Sequence, residues 1–232
     1  MLSSPSAAPE VASRPSLAGR AAGGFGASIL AGALLGGSAW FSDQLAWPFS
    51  LLVPTNAIGV WVGVAFALGA SARTLPTGGL RGLVGLLTAV AAYYLLFATL
   101  GAGFRAMGAG HAATVWGLVA LVAGPVMGGA GATWRHASGW PRAFAVAILS
   151  AALLAEGIMF GLGRLVHLDQ LATDPGALLF GIEIVIGVAL PGLMLARGER
   201  LRGYGATVAL GAAGALAIGP VTATLRALAD RF

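Results

Sequence analysis

The chain has 232 residues, 58% of them hydrophobic and 9% charged, with a mean hydropathy of +0.88, whereas about a quarter of the residues of a soluble domain are charged. A soluble fold of this composition would have no surface, and with no cysteine there are no disulfides, thiolate metal sites or cysteine nucleophiles. The net charge of +5 and pI near 11.0 come from arginines scattered singly near the ends of apolar runs, which is the pattern of membrane orientation and not of nucleic-acid binding.

Residues 1–20 are rich in Ser, Pro and Ala and carry Arg14 and Arg20 without an apolar run, so they read as a disordered tail ahead of a single helical domain over 21–232. A spanning helix rises 1.5 Å per residue through roughly 30 Å of hydrocarbon and needs about 20 mostly apolar residues. Seven stretches between charged residues meet or approach that length. The expected spans are 22–41, 51–72, 82–104, 113–134, 142–163, 177–197 and 204–224. The apolar run from Phe25 to Trp40 after a basic segment also has the outline of a secretory signal, with Ser38-Ala39 as a poor cleavage site. Its length and its direct lead into further spans favour an uncleaved first helix.

Arginines 14, 20, 73, 81, 135, 142, 197, 200 and 202 fall on one side of these spans, and Arg105, Arg164, Arg226 and Arg231 on the other. The richer side belongs in the cytoplasm, with the N-terminus. Trp40, Phe41, Trp47, Phe104 and Trp116 then lie near the outer boundary, and Trp134, Trp140 and Tyr204 near the inner one. No ten-residue alternation of a membrane barrel is present, so the fold class is all-α, a polytopic helix bundle.

The 37 glycines suit close helix packing, and Gly32/Gly36, Gly124/Gly128 and Gly157/Gly161 have the four-residue spacing that lines one helix face. Pro125, Pro191 and Pro220 lie inside spans, and each should free the carbonyl four residues earlier, at Leu121, Gly187 and Leu216. Residues 121–126 (LVAGPV) are echoed at 216–221 (LAIGPV), in spans of opposite direction, which is how an inverted repeat of spans two to four and five to seven would look.

Only Glu156 and Glu183 are acidic residues within the spans. A central acidic residue costs on the order of 3 kcal/mol on insertion scales and persists where a partner, a bundle interior or a water-filled cavity receives it. Both belong to the outer halves of oppositely directed helices, and Glu183, Gly187 and Pro191 share one helix face. With Asn56, the only asparagine, they form a candidate substrate-binding set, and Arg105 and Arg164 near the same surface are candidate ion-pair partners. Two functions fit: a site for a small cationic or proton-coupled solute, or register-setting ion pairs in a structural or assembly subunit of a membrane complex. Tyr93 and Tyr94 need a hydroxyl partner if buried. His111, His136 and His167 fall in expected loops on both sides of the membrane and cannot assemble one metal site. No HExxH, phosphate loop or nucleophile elbow occurs, and no histidine lies where it would activate Ser150, so no catalytic residue, metal or cofactor is expected.

Asn56 and Trp61, Tyr93-Tyr94, Trp116 followed by Ala123-Gly124-Pro125 and Gly128, Trp134-Arg135 and Glu156-Gly157, in that order between Pro54 and Arg202, resemble a family of uncharacterised multi-pass membrane proteins from GC-rich actinobacteria. The likeness covers about two-thirds of the chain. As a domain of unknown function, the family implies a bacterial plasma (inner) membrane location, with the lipid bilayer as its surroundings, and carries over no activity. Gly157 stands where the resemblance leads one to expect alanine.

Overall fold

The computed structural model describes residues 17–45, 55, 57–100, 109–161 and 175–229, with side chains over 24–45, 55, 57–100, 110–159 and 179–214. Among the described residues the fold is all-helical. The helices are α1 (Leu17–Gln44), α2 (Ile58–Ala70), α3 (Leu75–Leu100), α4 (Ala109–His136), α5 (Trp140–Glu156), α6 (Pro175–Met194) and α7 (Arg197–Ala229), and α5 runs on into a π-helical turn, Gly157–Gly161. Four of them are long and apolar enough to cross a membrane, over Gly24–Gln44, Leu75–Leu100, Gly110–His136 and Trp140–Met159. Large apolar side chains face outward on several helices, Leu193 being 80% and Val122 68% exposed, while the interior is rich in alanine. That inversion suits a lipid surround and not water.

Small residues set the packing, as their spacing predicts. α1 and α3 run parallel, with Gly32 against the Gly85 carbonyl and Gly36 against that of Ala89. α3 and α4 run antiparallel, Gly82 meeting the Gly124 carbonyl and Gly78 lying against Gly128, while Gly69 brings α2 onto Gly128 from a third direction. Gly157 packs on Phe180 and Ile184, and Gly187 on Ser150 and Leu154, which makes α5 and α6 antiparallel neighbours. Val62, Phe66, Leu86, Met127, Leu149 and Leu153 fill the space between α2, α3, α4 and α5.

Several expected boundaries move. α3 begins at Leu75 and not at 82, so Arg81 is inside the helix, only 9% exposed, with its guanidinium over Gly24 and donating to Ser71 Oγ at 2.9 Å. The glycine on α1 leaves room for that side chain, which a loop arginine would not need. His136 is the last residue of α4 and bonds the Ala72 carbonyl at 2.8 Å, and His111 lies in the first turn of α4, so neither occupies a loop. α7 starts at Arg197, seven residues early, because only Leu195 and Ala196 separate it from α6. Its first turn holds Glu199, an acid where the helix dipole favours one, and that side chain accepts the backbone N–H of Gly139. Gly139 turns α4 into α5 with φ +67°, a conformation that L side chains rarely adopt. Arg105, Arg164, Asn56 and His167 lie outside the described residues, and Pro220 lies beyond the described side chains, with the whole of the 216–221 echo.

Pro125 and Pro191 sit inside α4 and α6. The carbonyl that Pro191 leaves without an amide partner, on Gly187, accepts the Ser150 hydroxyl from α5, and Ser150 is 0% exposed. Ser150→Ala is therefore expected to cost about 1 kcal/mol. Pro191→Ala, which returns an amide to that carbonyl, should remove most of the penalty. A double-mutant cycle on thermal unfolding in detergent checks it, and additive losses would refute the pairing.

Candidate functional site

Helix direction gathers two sets of residues at opposite ends of the bundle. One end joins α4 to α5 and α6 to α7: Arg142 donates to the Trp134 carbonyl, Trp134 to that of Met194, and Arg202 lies 5.9 Å above the Trp140 ring. The other end brings the close of α1, α3 and α5 to the start of α2, α4 and α6. The chemistry lies there.

Glu156 closes α5 where the helix widens into its π-helical turn, and is 6% exposed. Its carboxylate accepts the backbone N–H of Ile58 at 2.7 Å and of Gly59 at 2.5 Å. Ala57 is extended and makes no side-chain cap, so α2 starts abruptly with amides lacking helical partners. Glu156 supplies the missing acceptor from 97 residues away in sequence. The charge is thus received by the positive end of a helix dipole and not, among the described residues, by an arginine.

Glu183 of α6 is 4% exposed and lies against Glu156 and against Gly59. The two acids expected at similar depth are brought together, and Gly187 and Glu183 both turn toward α5, as their spacing predicts. A Cβ on Gly59 would sit 2.6 Å from a Glu183 carboxyl oxygen, so a side chain there would have to displace that carboxyl. Neither Glu183 oxygen receives a hydrogen bond from an N–H or hydroxyl group. No cluster of three or more His, Cys, Asp or Glu able to hold a metal occurs among the described residues.

Beside this pair, across α2, lies a cavity of about 340 Å³ between α1, α2, α3 and α4. Its walls are Trp61, Trp116, Tyr93 and Tyr94 with Ile58, Val62, Leu86 and Val90, and its charged group is Asp43. Asp43 and Trp116 are exposed and mark its mouth. The Tyr93 hydroxyl donates to Asp43, Tyr93 and Tyr94 meet edge to face at 4.9 Å, and the Trp61 indole N–H donates to the Thr55 carbonyl at 2.5 Å. The glutamates do not line the cavity. Ile58 links the two, its side chain in the cavity wall and its amide on Glu156.

Asp43 is thus the hydroxyl partner that Tyr93 needs. The readable signal was a tyrosine pair in one span and an acid closing another; the parallel contact of α1 and α3 that joins them leaves no trace in local spacing.

An all-helical bundle of small-residue contacts, with an apolar exterior and four helices of membrane-crossing length, defines the class of helical membrane proteins. The chain belongs to the family of unknown function DUF6518, whose sequence profile matches residues 16–227. It matches no curated protein and no solved structure.

Proposed function

We propose that this is a multi-pass protein of the bacterial plasma membrane, with seven spans and a cytoplasmic N-terminus, that binds and passes a small organic cation. The arginine-rich end faces the cytoplasm and the cavity faces outward. Glu156 and Glu183 serve as its proton site, with Asn56 as a further polar contact. It acts as a binding protein and not as an enzyme. The observation that carries the reading is the cavity: four aromatic rings and one carboxylate around about 340 Å³. Aromatic faces attract a cation by their quadrupole, with about 0.5–2 kcal/mol per contact, and an acid at the mouth adds a counter-charge.

The test is titration of the purified protein with benzyltrimethylammonium and with its uncharged carbon isostere, read by tryptophan fluorescence and calorimetry. The cation should bind and the isostere should not. Asp43→Asn should weaken binding about tenfold, which corresponds to about 1.4 kcal/mol. Equal affinity for both probes, or none for either, would end this reading.

A second reading, a non-transporting assembly subunit, is favoured by the double hydrogen bond from α2 to Glu156, which locks helix register. It requires a constant partner on gentle purification and no cation binding.

A further inference from the structure

A buried carboxyl that receives no hydrogen bond is unusual, because an ionised group taken out of water needs a partner. Glu183 is such a group: 4% exposed, with no N–H or hydroxyl directed at either oxygen. What it faces is the Glu156 carboxyl, whose own oxygens are occupied by the amides of Ile58 and Gly59. Two carboxylates present only acceptors to each other. One proton between them makes one a donor.

Among the described residues nothing else neutralises the pair. α2 has no ionisable residue, and α6 has only Glu183. α5 has only Arg142 besides Glu156, at its far end, and α7 has Arg197, Glu199, Arg200 and Arg202 in its first turns at that same end, while its Arg226, toward the other end, lies beyond the described side chains. On α4, Arg135 and His136 belong to the far end, and His111, near the cavity end, is exposed. Across the cavity stand Asp43, Tyr93 and Tyr94. A bound metal ion is a poorer fit than a proton, since both Glu156 oxygens already accept amides that would repel a cation.

We infer that Glu183 carries a proton and donates it to Glu156, and that release of this proton is exchanged for entry of the cation into the neighbouring cavity. The link runs through α2. With the proton in place, Glu156 holds the amides of Ile58 and Gly59 and thereby fixes Ile58 in the cavity wall. Loss of the proton to water leaves two anions in contact and adds one negative charge beside the cavity. Cation binding therefore tightens as the proton leaves, and by reciprocity the bound cation expels the proton. One positive charge leaves as one arrives, so the exchange is electrically balanced. This inference deepens the cation-site reading and rests on it for the exchange, but not for the proton itself.

Infrared difference spectroscopy of the purified protein tests the pair directly. The wild type should show a protonated-carboxyl C=O band at neutral pH that is lost reversibly at alkaline pH. Glu183→Gln should lack it at every pH while keeping the fold, because the glutamine amide can donate to Glu156 in the proton's place. If that variant does not fold, Glu183→Asp must shift the pH at which the band is lost. No band, a band indifferent to both substitutions, or a melting temperature that tracks sodium at fixed pH would overturn the assignment. In parallel, benzyltrimethylammonium affinity should rise about tenfold on alkalinisation of the wild type. It should stay flat in Glu183→Gln, any residual slope at acid pH belonging to Asp43. Cation binding with no pH dependence would refute the exchange. No cation binding with the band intact would refute the cavity reading alone and leave the shared proton standing.

Discussion

Glu156→Ala is expected to destabilise the protein by about 3–5 kcal/mol, the largest loss for any single polar substitution in the bundle. The alanine variant leaves the amides of Ile58 and Gly59 without an acceptor where Ala57 offers no cap. Each buried unsatisfied N–H costs about 1–3 kcal/mol, and Glu183 loses the carboxyl it faces. Glu156→Gln retains one carbonyl oxygen and can hold one of the two amides, so its loss should be about half as large. Thermal unfolding in detergent, with hydrogen exchange at Ile58 and Gly59, measures both. A loss below about 1 kcal/mol for the alanine variant would mean that α2 does not depend on the distant carboxylate.

Gly128→Val should prevent accumulation of folded protein or lower its stability by about 3 kcal/mol or more. Three helices meet at this residue: its own Cβ would strike the Gly78 carbonyl and come within 3.0 Å of the Gly82 Cα, and Gly69 approaches it from α2. Backbone cannot rotate away as a side chain can, so α3 or α2 must shift from α4 and abandon the contacts above and below. Gly117→Ala on the same helix, where nothing lies within 4 Å, is the control and should be neutral. A tolerated Gly128→Val would mean that the close approach of these backbones is unnecessary for the fold.

Much of this was legible in the chain because lipid imposes simple demands. Apolar length marked α1, α4 and α5 to within a few residues, and the four-residue glycine spacing marked the faces of α1 and α4 that pack on α3. Pro191 told which carbonyl would need a donor, and Glu183-Gly187-Pro191 told which face of α6 turns inward. Illegible were facts that depend on a partner distant in sequence. α2 begins only at Ile58 because Glu156, brought by α5, serves as its cap, and no local signal says so. Arg81 is tucked into α3 because Gly24 on another helix makes space. The cavity escaped notice for the same reason, its aromatic walls coming one or two at a time from separate helices.

The brevity of α2 bears on what keeps it in place. Thirteen residues of helix measure about 20 Å, against roughly 30 Å of hydrocarbon. So short a segment has few backbone bonds of its own to rely on, and its anchorage is borrowed: a carboxylate from α5 at its first amides, and backbone seats on α4 where Gly69 meets Gly128 and Gly131 meets Phe66.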